Sequence, residues 1–405
     1  MHYLQTSKKE GSAMGKKKTV TLIGGMAVVI ATAGILAACS AQSQPADSAA
    51  TGGQTSEVAA AEGSPIIEAA HWQDQFPNEY KSYLESGKAT YAHGPGASGK
   101  VNSHLDVMDP PADYPADFGT GCLSCHSSGY QTEVMDVLGE DLFTTDPETV
   151  KGLVSEGITC YSCHGNTPGQ LTPVNKWFIE AAEKGGVETS EENMVCGQCH
   201  ALGDFTVQFS DPDSSKWSTL QGGVEPEKLW EYLKGNGNQT PTVPSAEIVF
   251  NNYLGSTHDK AGATCADCHI EQATDESGSS YAKHQWQSVG TNENLYANCE
   301  SCHNDSAADR KAALEKVQGE FTARAAEVKA VIDSLSQKID ERTQAGSLSE
   351  EQLAQATELF NEATFYLSYG SDQSLGYHNM GNGSATAGCM DLAQQTAQKG
   401  LDLLA

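Results

Sequence analysis

The sequence predicts a mainly α-helical protein in which an irregular, glycine-rich body precedes long C-terminal helices. Three observations favour this fold class. After residue 306, apolar residues recur every three or four positions, which is the period of one helix face. No segment sustains the alternating pattern of a strand. Only 38% of the 405 residues are hydrophobic while 40 are glycine, so side chains alone supply little core.

The C-terminal part predicts three helices. The first runs over about 307–344 and ends before Gly346. Its apolar face comprises Leu314, Val317, Phe321, Ala325, Val328, Ile332, Leu335 and Ile339. The stretch 349–352, Ser-Glu-Glu-Gln, resembles a capping box that opens a second helix to about 368, and a third helix spans about 385–404. Two short helices are predicted earlier, over 146–154 and over 173–184, the latter before a Gly-Gly pair.

Ten of the twelve cysteines form five copies of one pattern, C-x-x-C-H. With 12 cysteines and 12 histidines in the chain, chance gives about 0.01 copies. The motifs are Cys122/Cys125/His126, Cys160/Cys163/His164, Cys196/Cys199/His200, Cys265/Cys268/His269 and Cys299/Cys302/His303. In c-type haem attachment, two such thiols form thioethers to the porphyrin and the histidine ligates iron. Zinc would require second pairs at matching spacing, and disulfides would not explain the histidine. We therefore expect five covalently bound c-type haems, which would also fill much of the core.

Each haem iron has a second axial position that another histidine can fill. The histidines outside the motifs are His2, His71, His93, His104, His258, His284 and His378. His2 lies in a segment that we expect to be removed, which leaves six candidates for five irons. The favoured ligands are His104, His258, His284 and His378, followed by His93 and then His71. Met108 and Met380 are alternatives, because thioether sulfur also ligates haem iron.

The N-terminus has the pattern of an export signal. Lys16–Lys18 precede an uncharged apolar run from Val20 to Ala38. The run ends in Leu-Ala-Ala-Cys39, which resembles the cleavage box of bacterial lipoproteins. We predict that residues 1–38 are removed and that lipid on Cys39 anchors the chain to the outer face of the cytoplasmic membrane. The alternative is a retained transmembrane helix.

Composition predicts the segments of the rest of the chain and disfavours some classes of partner. Residues 39–64, rich in Ser, Ala, Gln and Gly, predict a flexible tether. We expect a haem domain over 65–305 and a helical hairpin over 306–405, whose long helix is a candidate homodimer interface; the alternative is packing within one chain. The net charge of −29 disfavours a nucleic-acid partner and docking on anionic lipid through a basic patch. The unpaired Cys389 is expected to be a small buried hydrophobe.

Several segments resemble the catalytic subunit of the ammonia-forming cytochrome c nitrite reductases, over roughly 70–390. They are the opening helix at 77–83, the third motif with its preceding Met-Val, the stretch 257–269 around the fourth motif, and Gly-Tyr-His-Asn at 376–379. The resemblance implies a pentahaem fold with a long C-terminal helix. It also implies that His104 serves haem three, His258 haem five, His284 haem two and His378 haem four.

This chain departs from that family at the reactive haem. The family's first motif normally ends in Lys, although some members have His as here at His126. The family's substrate-binding Arg has no counterpart, because no Arg precedes Arg310. The family's catalytic and calcium-binding Glu, Tyr, His, Lys and Gln align with residues 201–204 and 244–247. Calcium is therefore not expected, and only Asp204 and Glu247 remain as candidate proton donors; both are also typical of solvated surface.

Two functions follow from these observations. The first is a pentahaem electron carrier in anaerobic respiration, which takes electrons from a membrane quinol-oxidising cytochrome and passes them to an extracytoplasmic reductase or other acceptor. The alternative is an enzyme that reduces nitrite to ammonia, or another small substrate, at the Cys122/Cys125 haem. The enzyme requires an open iron there, a proton donor and an anion-binding group.

Overall fold

The computed structural model describes residues 66–86, 104–105, 123–203, 219–235, 248–290, 292–370, 378 and 388–405. All the described residues belong to one compact unit, Pro45–Ala405. The predicted signal segment, the tether and Cys39 lie outside the described residues. The predicted boundary between 65–305 and 306–405 stays a prediction.

The protein is mainly α-helical, as predicted. In the described residues before 306, short helices are joined by irregular chain. The α-helices there are Pro77–Ser86, Leu123–His126, Asp136–Leu138, Pro147–Lys151, Cys160–His164, Lys176–Gly185, Glu191–His200, Pro226–Gly235, Val249–Tyr253, Thr257–Lys260 and Cys265–His269. The 3₁₀ helices are Ala69–Asp74, Gly139–Phe143, Thr219–Gly222 and Glu293–Ser301, and Tyr130–Met135 is a π-helix.

Capping residues explain where the two predicted short helices begin and end. The Asp146 carboxylate accepts the backbone N–H of Thr149 at 3.1 Å, and proline stands at the first helical position. Asn175 caps the helix Lys176–Gly185 in the same way. That helix ends at Gly186, whose φ of +66° is left-handed. Both predicted helices are confirmed.

A small hairpin, which the sequence pattern did not predict, follows the fourth motif. The strands Gln272–Thr274 and Ser280–Ala282 pair antiparallel, with Gln272 opposite Ala282. The Asp275 carboxylate holds the turn by accepting the backbone N–H groups of Ser277 and Ser279, at 2.8 and 2.9 Å. Strands of three residues are too short to show an alternating pattern.

The C-terminal helices begin and end close to the predicted positions. They span Ala307–Gln344, Glu350–Gly370 and Cys389–Leu403. Ser306 and Asp309 form a capping box at the first helix. Ser349 and Gln352 exchange the equivalent hydrogen bonds at the second, at 3.1 and 3.2 Å. Among the described residues, no helix combines the length and apolar content needed to cross a membrane.

The largest hydrophobic cluster joins the three C-terminal helices to the body. Leu335, Phe365 and Tyr369 are fully buried there, next to Leu229 and Ile248 of the body. Cys389 is 1% exposed in the same cluster, which confirms the prediction that it is a buried small hydrophobe. Burial of apolar surface therefore fixes the C-terminal helices against the body that carries the motifs.

A close approach between two of these helices predicts a destabilising substitution. A Cβ atom at Gly400 would lie 2.6 Å from Leu335 Cδ2, whereas a Cβ at Gly319 would meet no atom within 4 Å. We expect Gly400→Val to lower the free energy of unfolding by about 2 kcal/mol, because it overpacks a full core. Gly319→Val is the control and should leave that free energy nearly unchanged or higher. Urea unfolding followed by circular dichroism measures both, and equal effects would contradict the prediction.

Candidate haem-binding site

Short helical turns present the cysteine motifs. The first, second and fourth motifs lie on Leu123–His126, Cys160–His164 and Cys265–His269, and the third lies at the end of Glu191–His200. The fifth motif begins in the 3₁₀ helix Glu293–Ser301 and continues beyond it. A helical turn brings residues three positions apart to one face, as two thioethers to one porphyrin require. Cys122 lies outside the described residues.

The third motif is the neighbour of three others. Its Cys199 side chain lies next to Cys125 of the first motif. Its Cys196 side chain lies next to Cys265 of the fourth. Its Gln198 contacts the second motif. The third motif therefore lies at a branch point rather than in the middle of a linear series.

Gln198 joins the third motif to the second with a fully satisfied side-chain amide. Its Oε1 accepts the backbone N–H groups of Val174 and Asn175, both at 3.0 Å. Its Nε2 donates to the carbonyl oxygens of Ser162 at 2.7 Å and Val195 at 3.0 Å. Only 3% of the residue is exposed, so water cannot replace these bonds.

Two asparagines hold the fourth motif. Asn193, before the third motif, accepts the Cys265 backbone N–H at 2.9 Å, so it caps the first turn of the fourth motif. Asn298, before the fifth motif, donates to the carbonyl oxygens of Asp267 and Ile270, both at 2.9 Å. These bonds set the distance between consecutive motifs.

A buried hydroxyl cluster joins the first motif to the second. Ser128 Oγ lies 2.9 Å from Thr159 Oγ1 and 2.6 Å from Ser162 Oγ. It also accepts the Thr159 backbone N–H at 2.9 Å. The side chains that join the motifs are thus small and polar, and none was a candidate on sequence alone. The sequence feature that could have found them is weak, since it is only the presence of a polar residue inside or beside a C-x-x-C-H motif.

Among the described residues, four motif histidines each face a histidine from elsewhere in the chain. The paired ring centres are 5.8 to 6.3 Å apart. The pairs are His104 with His200, His284 with His164, His258 with His303 and His378 with His269. The structure therefore brings together the four favoured candidates and the last four motifs.

The spacing within these pairs fits one metal ion held from both sides. An imidazole nitrogen bound to a transition metal lies roughly 2 Å from it, and the ring centre lies roughly 1 Å further away. Two rings on opposite sides of one iron are then about 6 Å apart, which agrees with all four pairs. Haem c attached to the adjacent thiols would supply such an iron.

In three of these imidazoles, a hydrogen bond occupies Nδ1 and leaves Nε2 available to a metal. His164 Nδ1 donates to the Gln170 carbonyl at 2.9 Å, and His269 Nδ1 donates to the Gln287 carbonyl at 3.0 Å. His284 Nδ1 donates to the Ala282 carbonyl at 2.9 Å. Because a carbonyl only accepts, Nδ1 must carry the proton in each ring, and Nε2 keeps its lone pair.

Burial favours the neutral form of four of these rings, those of His104, His164, His269 and His284, and the neutral imidazole is the form that binds metal. Burial, followed by the nearby His200, lowers the pKa of His104 to about 3. Burial and then His378 lower the pKa of His269 to about 4. The residues present therefore fit haem at the last four motifs.

The remaining candidate iron ligands and proton donors lie elsewhere in the structure or outside the described residues. His71 lies exposed in the 3₁₀ helix Ala69–Asp74, with its ring 5.0 Å from Trp72. His126 of the first motif is half-buried. The candidate ligand His93 and the candidate proton donors Asp204 and Glu247 lie outside the described residues, as do Met108 and Met380.

A half-buried acid next to the second motif predicts a pH-dependent stability. Burial raises the pKa of Glu156, Glu68 and Glu133 raise it further, and its Oε2 has no hydrogen-bond partner. Above the ordinary pKa of glutamate, Glu156 is ionised in the unfolded chain but still protonated in the folded protein. Its contribution to the free energy of unfolding therefore falls as the pH rises, until the pH passes the raised pKa. We expect Glu156→Gln to unfold at a higher temperature than the wild type at pH 8, with the difference vanishing towards pH 4. Glu188→Gln, in an exposed loop, should show no such trend; parallel melting curves for both variants would contradict this cause.

Comparisons with known proteins agree with this geometry. A family model described as Cytochrome c552 matches residues 102–404. The cytochrome c nitrite reductase subunit NrfA of Nitratidesulfovibrio vulgaris is 24% identical over 363 residues, which cover 83% of this chain and 60% of that protein. The chain thus spans about 60% of the length of this curated relative.

A solved structure has the same fold. Cytochrome c nitrite reductase from Desulfovibrio desulfuricans, whose catalytic subunit has two calcium sites, superposes with a TM-score of 0.67. The superposition covers 86% of this chain and 87% of that one, at 17% identity. Since the family model extends over most of the chain, from before the first motif to the end of the last helix, this protein belongs to the cytochrome c552 family.

Proposed function

We propose that this protein is a pentahaem c-type cytochrome that carries electrons in anaerobic respiration. The observation that supports this function best is the set of four histidine pairs with ring centres 5.8 to 6.3 Å apart. A haem with histidine on both faces of its iron is six-coordinate and suits outer-sphere electron transfer, because no ligand has to leave. We assign His104, His284, His258 and His378 as the distal ligands of the third, second, fifth and fourth haems.

The chain's own residues hold the haems close to each other and keep water away. Gln198, Asn193 and Ser128 fix consecutive motifs at hydrogen-bond distance. Haem supplies one-electron redox chemistry when bound. The third motif contacts the first, second and fourth, which supports a branched arrangement with the third haem at its centre.

The partners and the location belong to the same proposal. The electron donor is a membrane quinol-oxidising cytochrome, and the acceptor is an extracytoplasmic reductase or a small molecule. The net charge of −29 favours docking to a basic partner surface. Cys302 is exposed, which supports a fifth haem close to the surface. Export, lipid on Cys39 and a homodimer through the helix Ala307–Gln344 complete the proposal.

The second candidate function is nitrite reduction to ammonia at the Cys122/Cys125 haem. It is favoured by the likeness to nitrite reductase subunits. The residues after the third motif weigh against it. Ala201 and Leu202 are buried apolar side chains, which supply no oxygen ligand for calcium and no proton for catalysis. Asp204 or Glu247 would have to donate the protons in this function.

Carbon monoxide binding to the dithionite-reduced holoprotein tests the proposed function. Carbon monoxide binds ferrous haem only where an axial position is open or opens readily. The carrier function predicts no shift of the Soret band. A shift equivalent to one haem in five would favour a reductase at the first haem, because the other four irons have two histidines each in this proposal.

A turnover assay separates the two functions directly. We expect negligible ammonia formation from nitrite with a strong artificial electron donor, because no Arg precedes Arg310 to bind the anion. The measurement is ammonia per holoprotein per second with reduced viologen, and free haem c peptide is the control for nonspecific reduction. Rapid ammonia formation above that control would overturn the carrier function and support the second candidate.

A further inference from the structure

Trp286 lies between two of the rings proposed as distal ligands. The centre of its ring is 4.7 Å from that of His104 and 5.4 Å from that of His284, at interplanar angles of 63° and 84°. His104 faces His200 of the third motif, and His284 faces His164 of the second. One indole therefore makes edge-to-face contacts with an imidazole from each of two haem sites.

The backbone holds Trp286 in an unusual conformation. Its φ is +44°, and within the described ranges no other residue except glycine has a positive φ. A bulky side chain rarely adopts this region, because its Cβ crowds the backbone. Such conformations persist where the surrounding structure imposes them, and they cluster at functional sites.

Hydrogen bonds fix the chain on both sides of the indole. Gln287 donates its backbone N–H to the His269 carbonyl at 3.1 Å, and its own carbonyl accepts from His269 Nδ1 at 3.0 Å. On the other side, the His284 backbone N–H donates to Ser82 Oγ at 2.9 Å. Trp286 therefore cannot rotate away from the histidines by a backbone change without breaking bonds to the second and fourth haem sites.

A third ring lies against the indole. The Tyr83 ring centre is 6.2 Å away at 79°, and Tyr83 is buried with its hydroxyl donating to the Ile158 carbonyl at 3.0 Å. The indole is thus held by a buried ring as well as by the two histidines. Its position is set by packing rather than by solvent.

We propose that Trp286 is a positioning residue that orients the His104 and His284 imidazoles together, so that one side chain sets the ligand field of both the second and the third haem. This inference rests on the proposed ligand assignment. The orientation of an axial imidazole determines how its π orbitals overlap with the iron d orbitals, so a rotated ring changes the EPR g values and the potential.

The four histidine pairs differ enough in the angle between their rings to be distinguished by EPR. The two rings meet at 56° in the His104 pair and at 40° in the His284 pair. They meet at 72° in the His258 pair and at 4° in the His378 pair. Because the angle between two axial imidazole planes controls the anisotropy of a low-spin ferric haem, the four sites are expected to give distinct EPR signals.

The test is EPR of the oxidised, fully matured holoprotein carrying Trp286→Leu. We expect the low-spin signals of the second and third haems to shift and the potentials of the same two haems to change, while the signals of the other haems stay in place. Trp286→Phe should give smaller shifts at the same two signals, because it keeps a ring. Trp230→Phe is the control, since that buried indole packs on Phe365, with ring centres 5.3 Å apart, in the C-terminal core.

Each other outcome overturns the inference. Unchanged signals at full haem content would show that the indole does not orient the ligands. A shift of one signal only would exclude joint positioning, and a shift of every signal would indicate a general disturbance. If the leucine variant fails to mature, the phenylalanine variant decides by the same criterion of two signals.

A ligand variant distinguishes failure of this inference from failure of the proposed function. His284→Met should replace one bis-histidine low-spin signal by that of a histidine–methionine haem if His284 is an iron ligand. If it changes one signal in this way while Trp286→Leu moves none, the ligand assignment stands and the positioning role is wrong. If His284→Met changes nothing, the ligand assignment itself is wrong.

Discussion

Gln198→Leu is expected to lower the free energy of unfolding of the holoprotein by about 4 kcal/mol. The substitution leaves two donors without this partner, the part-buried backbone N–H of Val174 and the buried backbone N–H of Asn175. It also leaves the Ser162 carbonyl without the Gln198 donor. Each buried polar group left unsatisfied costs roughly 1–3 kcal/mol. Thermal and guanidinium unfolding, with haem content determined first, measure the loss.

A control and a second variant test the cause of this loss. Gln355→Leu changes an exposed glutamine of the helix Glu350–Gly370, which bonds only weakly to Glu351 at 3.4 Å, and should change stability by less than about 0.5 kcal/mol. Gln198→Glu keeps the acceptors but faces the Ser162 and Val195 carbonyls with a carboxylate. It should therefore be more harmful at pH 8 than at pH 4. If Gln198→Leu were as mild as Gln355→Leu, the four bonds would not be what joins the second and third motifs.

His284→Met is expected to raise the reduction potential of one haem by on the order of 100 mV, because a thioether ligand stabilises ferrous iron relative to imidazole. The ring of His284 lies 6.2 Å from that of His164, so the affected haem is the second. Spectroelectrochemical titration of the wild type and the variant measures the change. The other four potentials should move far less, since their ligands are unchanged.

His71→Met is the matched control for this ligand exchange. His71 is exposed and its ring contacts Trp72, so methionine there should leave every haem potential unchanged. A shift of one haem by His71→Met, together with no effect of His284→Met, would contradict the assignment of the second haem's ligand.

The elements that could be predicted are those set by local sequence. The helix Ala307–Gln344 shows about seven turns of apolar periodicity, from Leu314 to Ile339, at about 3.6 residues per turn. Ser306 and Ser349 mark the helix starts by capping. The Gly-Gly pair that ends with Gly186 marks the end of the helix Lys176–Gly185. The hairpin at 272–282 was missed, because its strands are too short for a period and its stability comes from the Asp275 turn.

The candidate site was predictable in its chemistry and not in its arrangement. Covalent attachment needs two thiols and a histidine within five residues, so each motif is visible in the sequence. The distal histidines carry no local signal; the count of unassigned histidines selected them, and the resemblance paired them with haems. The polar residues that join the motifs could not be selected, because no feature of the sequence distinguishes Asn193 or Gln198 from the other asparagine and glutamine residues.

The sequence by itself determined the number of attachment motifs, the residue types that can ligate iron and the helical C-terminal part, because each depends on residues close together in the chain. Only the tertiary structure decided that the third motif contacts three others, which histidine rings face each other, and that Trp286 touches two of them. Contacts such as that between Asn193 and Cys265 join residues 72 positions apart. Packing of the whole chain creates them, and no short pattern of residues records which partners it will bring together.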